Sequence, residues 1–390
     1  MPAAELLASA SAATRPPTRV LFIIYGLAPA GPELRLLEFA RHFPATTEVH
    51  LCVIGDDLTL LEEFRKTPAR VAIIPVRRPW VEWGKLRRVL AYIRTHDVAI
   101  INSFDLKTLL VAVAAKLRFG RRIKLVHHLI SLWDGLRDHH KQMVWRSLRY
   151  ADVVVCNGYA VRDTLIGSKR LKPRVVVVPN GVDAEHFRPM PDVRAAERRR
   201  LGFTNEHFVF GTVANVRPVK NYPLLLNTIR RVAERHPNVR LVCVGGGPQL
   251  EEMTALAGQL GLADKVVWTG QTTDIRPSVS TFDAFALTSF KEGCPNALMQ
   301  AMAMGVPSMS SAVGEVPHLT ESGQCGLLFD PHNEETCLVA ALKLVEDASL
   351  RAKLGAAGRQ RMLDHYSPTT MIDNYVTLFE DTAAELPRPR

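Results

Sequence analysis

The sequence runs to 390 residues, 47% hydrophobic and 23% charged, with a formal net charge of +10. This is the composition of a globular protein with room for two domains, and no run of about 18 apolar residues is present to cross a membrane. The six cysteines (Cys52, Cys156, Cys243, Cys294, Cys325 and Cys337) are far apart and no pair has metal-ligand spacing, which argues against a zinc site and for reduced thiols in the cytoplasm.

Residues 1–17 are rich in Ala, Ser and Pro and carry Glu5 but no basic residue ahead of an apolar core, so a disordered tail is expected rather than a signal peptide. Short β-rich runs then alternate with helical patterns. Strands are expected at Arg19–Ile24, Val49–Ile54, Val71–Ile74, Val98–Ile101, Lys124–Val126, Asp152–Val155 and Val175–Val178, with a first amphipathic helix over Leu34–Phe43. Continuous Val/Ile runs separated by helices indicate a parallel sheet covered on both faces. A Pro/Arg-rich stretch, Arg188–Arg200, marks the domain boundary. The pattern restarts with strands at Phe208–Val213, Val239–Val244, Val266–Trp268 and Ala284–Leu287, and helices over Tyr222–His236 and Gln249–Gly261. The economical fold is α/β, two doubly wound halves with a ligand cleft between them.

Basic residues cluster at Arg77 and Arg78, at Lys85, Arg87 and Arg88, and from Lys116 to Lys124, with Trp80 and Trp83 among the first two groups. Such a face is either a solvated surface or a partner site for something acidic; the tryptophans suit an anionic membrane more than a nucleic acid. Leu27–Glu33 joins the first strand to the first helix. It lacks the three-glycine dinucleotide pattern, so a nicotinamide cofactor is not supported. His127 and His128 follow a strand and could meet a sugar hydroxyl or serve the core. Arg217 and Lys220 stand at the head of a helix, either a diphosphate clamp or a basic surface turn. Gly245–Gly247 ends a strand and allows a close backbone approach. Gly270 follows another strand, where backbone groups could meet a nucleobase edge.

The densest signal is Glu292-Gly-Cys-Pro-Asn-Ala-Leu-Met-Gln300 through Gly305 and Pro307. Pro295 suits a first helical turn, and Gly305 and Pro307 suit a stop. The helix start offers free N–H groups to a phosphate, while Glu292 can accept from sugar hydroxyls and Gln300 reaches further along a long ligand. A core helix with a polar start is the plainer alternative.

Together, Val178–Asp183 with Phe187 and Pro189, Arg217–Lys220, Val244–Pro248 and Glu292–Pro307 resemble glycosyltransferase family 4, over nearly the whole chain from residue 18. The resemblance implies a GT-B fold with an N-terminal acceptor-side domain over 18–190, a C-terminal nucleotide-sugar-binding domain over 191–366, and a helix over 367–390 packing back on the first domain. It implies a retaining enzyme that moves a sugar from a UDP- or GDP-sugar to a glycan or lipid-linked acceptor, without a metal, at the inner face of a membrane. Arg217 and Lys220 would bind the diphosphate and Glu292 the donor sugar, helped by the N–H groups of Gly293, Cys294, Pro295's successor Asn296 and their neighbours. Gln300 would bind the ribose, His127 the sugar, and Gly31 would approach the diphosphate. Asn180 and Gly181 would lie near a hinge, with Gly247 and Gly270 on the donor side. The chain departs from the family at Gln300, usually glutamate, and at Glu315 and His318, where Gly-Gly-x-Pro-Glu is common. The same fold could also serve a nucleotide-sugar epimerase or a phosphorolytic enzyme, and the departures together with the +10 charge leave room for a non-catalytic sugar-nucleotide-binding protein.

Overall fold

The computed structural model describes residues 17–28, 31–75, 82–130, 138–167 and 172–387. Residues 1–16 of the expected tail, and Arg77, Arg78 and Trp80, lie outside these. The chain separates into two compact units: Met1–His127 with Val144–Val153 and Asn374–Arg390, and His128–Met143 with Val154–Asp373.

Among the described residues the strands form two sheets. The first holds β1 (Thr18–Ile24), β2 (Thr47–Val53), β3 (Arg70–Ile73), β4 (Ile100–Ser103), β5 (Lys124–Leu129), β6 (Val153–Cys156) and β7 (Arg174–Val177), in the order β3-β2-β1-β4-β5-β6-β7. The second holds β8 (Phe208–Val213), β9 (Val239–Val244), β10 (Val266–Gly270), β11 (Ala284–Leu287), β12 (Ser308–Ser311) and β13 (Leu327–Phe329), in the order β10-β9-β8-β11-β12-β13. Pairing is parallel in both. Strand order reverses between β1 and β4 and again between β8 and β11, which are the switch points where such sheets open a crevice at their carboxyl ends.

Alternation explains the unbroken apolar runs. Phe210, Leu241 and Cys243 pack with Leu225, Leu226, Ile229 and Val232 of the helix Tyr222–Arg235. Val209, Val242 and Val244 join Phe285, Leu298 and Met302 in a different cluster. With both faces covered, each strand position must be apolar. Gly211 has no side chain because a Cβ there would lie 2.2 Å from the Phe282 ring. In the first unit, Phe22 packs edge-on against Phe379 at 6.1 Å, and Phe39 against Tyr375 at 4.6 Å. Both partners belong to the final helix, Pro368–Ala384.

Several local expectations change. His127 and His128 lie within β5 rather than after it. The first helix opens at Gly31, not Leu34. Pro295 is not in the first turn: it precedes the helix Asn296–Ala303, with φ −77° and ψ 95°. β12 was unforeseen because Ser308-Met-Ser-Ser311 has a single large apolar residue, yet all four are buried. Arg188–Arg200 reads as a connection, but Pro191–Arg200 is a helix. Its Arg198 is buried and donates to the carbonyls of Thr204 at 3.0 Å and Thr281 at 3.1 Å, and to Asp283 at 3.1 Å. Acceptors at both terminal nitrogens make its burial tolerable, although the buried Nε has no hydrogen bond to a described residue. All six cysteines are free, and only Cys294 is partly exposed. Among the described residues no helix is long and apolar enough to cross a membrane.

Candidate active site

The carboxyl ends of β8 and β11 carry the two stretches with the strongest chemistry. After β8 the chain turns through Arg217, a short 3₁₀ turn Pro218–Lys220, and Asn221 in the left-handed region at φ 51°. Asn221 is buried and donates from Nδ2 to the Pro331 carbonyl at 3.3 Å. After β11, Thr288 Oγ1 donates to the Lys220 carbonyl at 3.0 Å, and the Phe290 N–H to the Val219 carbonyl at 2.8 Å. These bonds fasten the two loops to each other across the switch point.

Lys220 and Glu292 meet there. Lys220 Nζ is 2.7 Å from Glu292 Oε1, and Ser289 Oγ donates to the same oxygen at 2.6 Å. Glu292 is 9% exposed on its side chain and Lys220 24%, so the ion pair is only partly screened by water. Both bonds fall on Oε1. Ser289 is held in turn by Ser311 Oγ, which donates to its carbonyl at 2.7 Å.

The chain continues directly into the helix Asn296–Ala303. The Leu298 and Met299 N–H groups both return to the Pro295 carbonyl, at 3.1 and 3.2 Å. No side chain caps this start. Its first amides therefore suit an anion, as the positive end of the helix does. Asn180, buried, donates from Nδ2 to Asn296 Oδ1 at 2.9 Å. The neighbouring Gly181 is tied elsewhere, its N–H donating to Met371 Sδ at 3.2 Å. Cys294 packs its sulfur 3.6 Å from Met299 Sδ, and Gln300 is half-buried on the same helix.

Other expected residues are placed differently. Arg217 is exposed and forms no ion pair with a described residue. Gly247, at φ 152°, approaches protein and not open space: a Cβ would lie 2.5 Å from the Val216 carbonyl oxygen. The Gly246 carbonyl accepts from the Val216 N–H at 2.8 Å, so this loop braces the Arg217 turn from behind. Gly270, at φ 74°, accepts from the Gly245 N–H at 2.9 Å and has open space where a Cβ would stand.

His127 and Gly31 belong to the first unit. Gly31 opens the helix that follows β1, at that sheet's own switch point. His127, 2% exposed, has Nδ1 3.0 Å from Ser103 Oγ on the adjacent strand. Burial pushes its pKa down to about 4, so the ring is neutral near pH 7. A neutral imidazole suits a hydroxyl and not a phosphate.

Ser103, Ser289, Thr288 and Asn221 were not foreseen as site residues. One signal existed: strand ends reading Asn-Ser-Phe and Leu-Thr-Ser put hydroxyls where a parallel sheet opens. What they bond to depends on partners distant in sequence.

Residues 193–361 match the model of the glycosyl transferases group 1, and residues 29–186 that of Glycosyltransferase Family 4. EpsF of Bacillus subtilis (strain 168), assigned as a glycosyltransferase, is 30% identical over 357 residues, covering 88% of this chain and 89% of that protein. The chain belongs to glycosyltransferase family 4. The GDP-mannose-dependent alpha-(1-6)-phosphatidylinositol monomannoside mannosyltransferase of Mycolicibacterium smegmatis is 31% identical, over 48% of this chain and 52% of that protein. Crystal structures of Anabaena HepE with UDP and with UDP-glucose superpose with TM-scores of 0.82 and 0.80, at 21% and 22% identity. They cover 93% of this glycosyltransferase and 100% and 99% of the HepE chains. The fold is therefore GT-B, and the protein is a glycosyltransferase.

Proposed function

We propose that this glycosyltransferase moves a sugar from a UDP- or GDP-sugar to a glycan or lipid-linked acceptor, with retention at the anomeric carbon. The observation that carries the reading is the Lys220–Glu292 pair, set 2.7 Å apart at the switch point of the second sheet and leading straight into an uncapped helix start. The distances suit a ligand with a diphosphate and a sugar side by side. Lys220, Arg217 and the amides after Pro295 would take the diphosphate, and the Glu292 carboxylate a sugar hydroxyl. Gln300, further along the helix, would reach the ribose. HepE with UDP-glucose and the GDP-mannose-dependent relative lend support to this class of donor.

In the proposed step the bond from the anomeric carbon to the diphosphate oxygen breaks, and its electron pair leaves with the diphosphate. Negative charge grows there, and Lys220 with the helix amides stabilises it more in the transition state than in the ground state. The acceptor oxygen bonds the same face of the carbon and gives its proton to a departing phosphate oxygen. Cationic side chains meet the leaving-group charge, so the proposal calls for no metal. His127, being neutral, would bind a hydroxyl of the transferred sugar without competing for the phosphate.

The acceptor side rests on surface chemistry. The helix Trp83–Thr95 exposes Trp83 and the side chains of Arg87, Arg88 and Arg94. An indole among guanidinium groups suits an anionic lipid surface. The reading accordingly places the enzyme in the cytoplasm, peripheral on the membrane.

A screen of UDP- and GDP-sugars against lipid-extract acceptors, read by mass spectrometry, tests the function. Transfer of one hexose mass with α-linkage from an α-linked donor is expected. Binding of the nucleotide sugar away from Lys220 and Glu292 in a soaked crystal would overturn the assignment.

A further inference from the structure

Glu315 is the most conspicuous polar group that the proposed mechanism leaves unused. It is 1% exposed, and it follows β12 in a loop that lies against Glu292. Gly314, at φ 55°, packs so closely that a Cβ would sit 1.8 Å from the Glu292 carbonyl oxygen. The Glu315 N–H donates to the Gly293 carbonyl at 3.2 Å. The backbone of residues 314–315 is thus the surface on which the Glu292–Gly293 turn rests.

The carboxylate of Glu315 is fastened at a second place. Its Oε2 accepts from the Ala160 N–H at 2.9 Å, at the start of the helix Tyr159–Ile166. That helix has no cap from its own N-cap residue, Gly158, so the cap comes from a carboxylate 155 residues further along the chain. Gly158 has φ −174°, an extended conformation open to any residue, so backbone freedom does not explain the glycine. Space does: a Cβ at Gly158 would lie 2.6 Å from Glu315 Oε2. The other oxygen, Oε1, is buried and has no hydrogen bond to a described residue. Burial accordingly raises the carboxyl pKa, while the Tyr159 and Ala160 amides and His318 oppose the rise and Asp163 adds to it. A carboxylate kept in such surroundings costs stability, so a function is the better account of it.

We propose that Glu315 is a positioning residue: docked on the helix start at Ala160, it fixes the loop that holds Glu292 in register with the transferred sugar. This deepens the donor-site reading and rests on Glu292 contacting the donor sugar. Glu315 touches no reacting atom. It acts on the sugar end of the donor through Glu292 and leaves the nucleotide end alone.

The test compares calorimetric affinities for UDP and UDP-glucose, and for GDP and GDP-mannose, in the full chain. The increment that the sugar adds to the nucleotide is the readout. Glu315→Ala should lower that increment about tenfold, the value of one charge-assisted hydrogen bond, while nucleotide affinity stays within about twofold. Gly158→Ala should do the same by displacing the carboxylate. The double variant should be no worse than Glu315→Ala, because the alanine methyl then has nothing to displace. Glu315→Gln keeps an oxygen for the Ala160 N–H and should retain most of the increment. An unchanged increment, or an equal loss for nucleotide and nucleotide sugar, overturns the proposal. Glu292→Gln serves as the control: if it too leaves the increment at the wild-type value, the donor-site reading fails. If it alone lowers it, only the role of Glu315 fails.

Discussion

His127 within β5 and Lys220 after β8 both lie towards the carboxyl side of a parallel sheet, yet their electrostatics are opposite. His127 is dry, neutral and bonded to one serine hydroxyl. Lys220 is partly wet, charged and paired with a carboxylate that a serine also holds. The difference shows that topology supplies a place and the side chains around it decide which ligand chemistry fits. A desolvated imidazole cannot afford a proton, so it offers neutral hydrogen bonding. An ammonium has three N–H groups and gives one to Glu292; in the proposed reading the other two meet phosphate oxygens.

The sharpest way to break this contrast is to remove the charged side. Lys220→Ala should lower turnover with a nucleotide sugar by about 10²–10³-fold, the cost of losing one preorganised group aimed at developing charge. It also leaves the buried Glu292 carboxylate without its cation, so the melting temperature should fall. Pairing it with Glu292→Gln should recover part of that stability but none of the turnover. Steady-state assays and thermal melts of the three variants measure both effects, and wild-type turnover in Lys220→Ala would dismiss the diphosphate clamp.

The neutral side is probed by pH. A histidine in the unfolded chain takes its proton near 6.5, whereas folded His127 does so at about 4. Between those values the unfolded chain binds more protons. The stability tied to His127 is therefore complete above about pH 6.5 and is lost as the pH falls towards 4. Asparagine does not titrate in that range, so His127→Asn should show a smaller loss of stability between pH 7 and pH 5, by urea unfolding. His50, also pushed to about 4 by burial, remains in both proteins and cancels in the comparison. Identical pH dependence would mean that His127 is not buried as a neutral ring.

Smaller effects sharpen the boundaries of the charged site. Arg217 is exposed and has no protein partner to hold it among the described residues, so Arg217→Ala should cost only about 3–10-fold in kcat/KM. That cost should shrink in high salt. Restoring the family's usual residue with Gln300→Glu should change the donor KM least, by about threefold or less. Glutamine already supplies an acceptor oxygen and differs mainly in charge. A large rate change from Gln300→Glu would give that position a part in the chemistry.

Much of this was legible without coordinates. Val/Ile runs at regular intervals predict parallel strands because strands covered on both faces must be apolar throughout, as β8 and β9 are. The segment from Glu292 to Gln300 stands out because a carboxylate, a proline and a helical apolar pattern occur together. The legible strands are those whose own residues carry the signal. β12 was invisible because its serines are buried by what surrounds them. The helix Pro191–Arg200 was invisible because Arg198 is acceptable inside only once the Thr204 and Thr281 carbonyls and Asp283 converge on it. At Gly247 the sequence allows a close backbone approach to a ligand or a plain turn, and only the fold shows the Val216 backbone beside it.

The sequence by itself determined the parallel α/β pattern and which charged residues stand near helix starts, because these follow from residue type and spacing along the chain; the family followed from the resemblance of its motifs. Only the tertiary structure decided that Lys220 reaches Glu292, that Ser103 faces His127, and that Glu315 caps a helix begun 156 positions earlier, at Tyr159. Hydrogen bonds and ion pairs act over about 3 Å. Groups far apart in the chain come within that range only after the sheets have set the ends of their strands side by side.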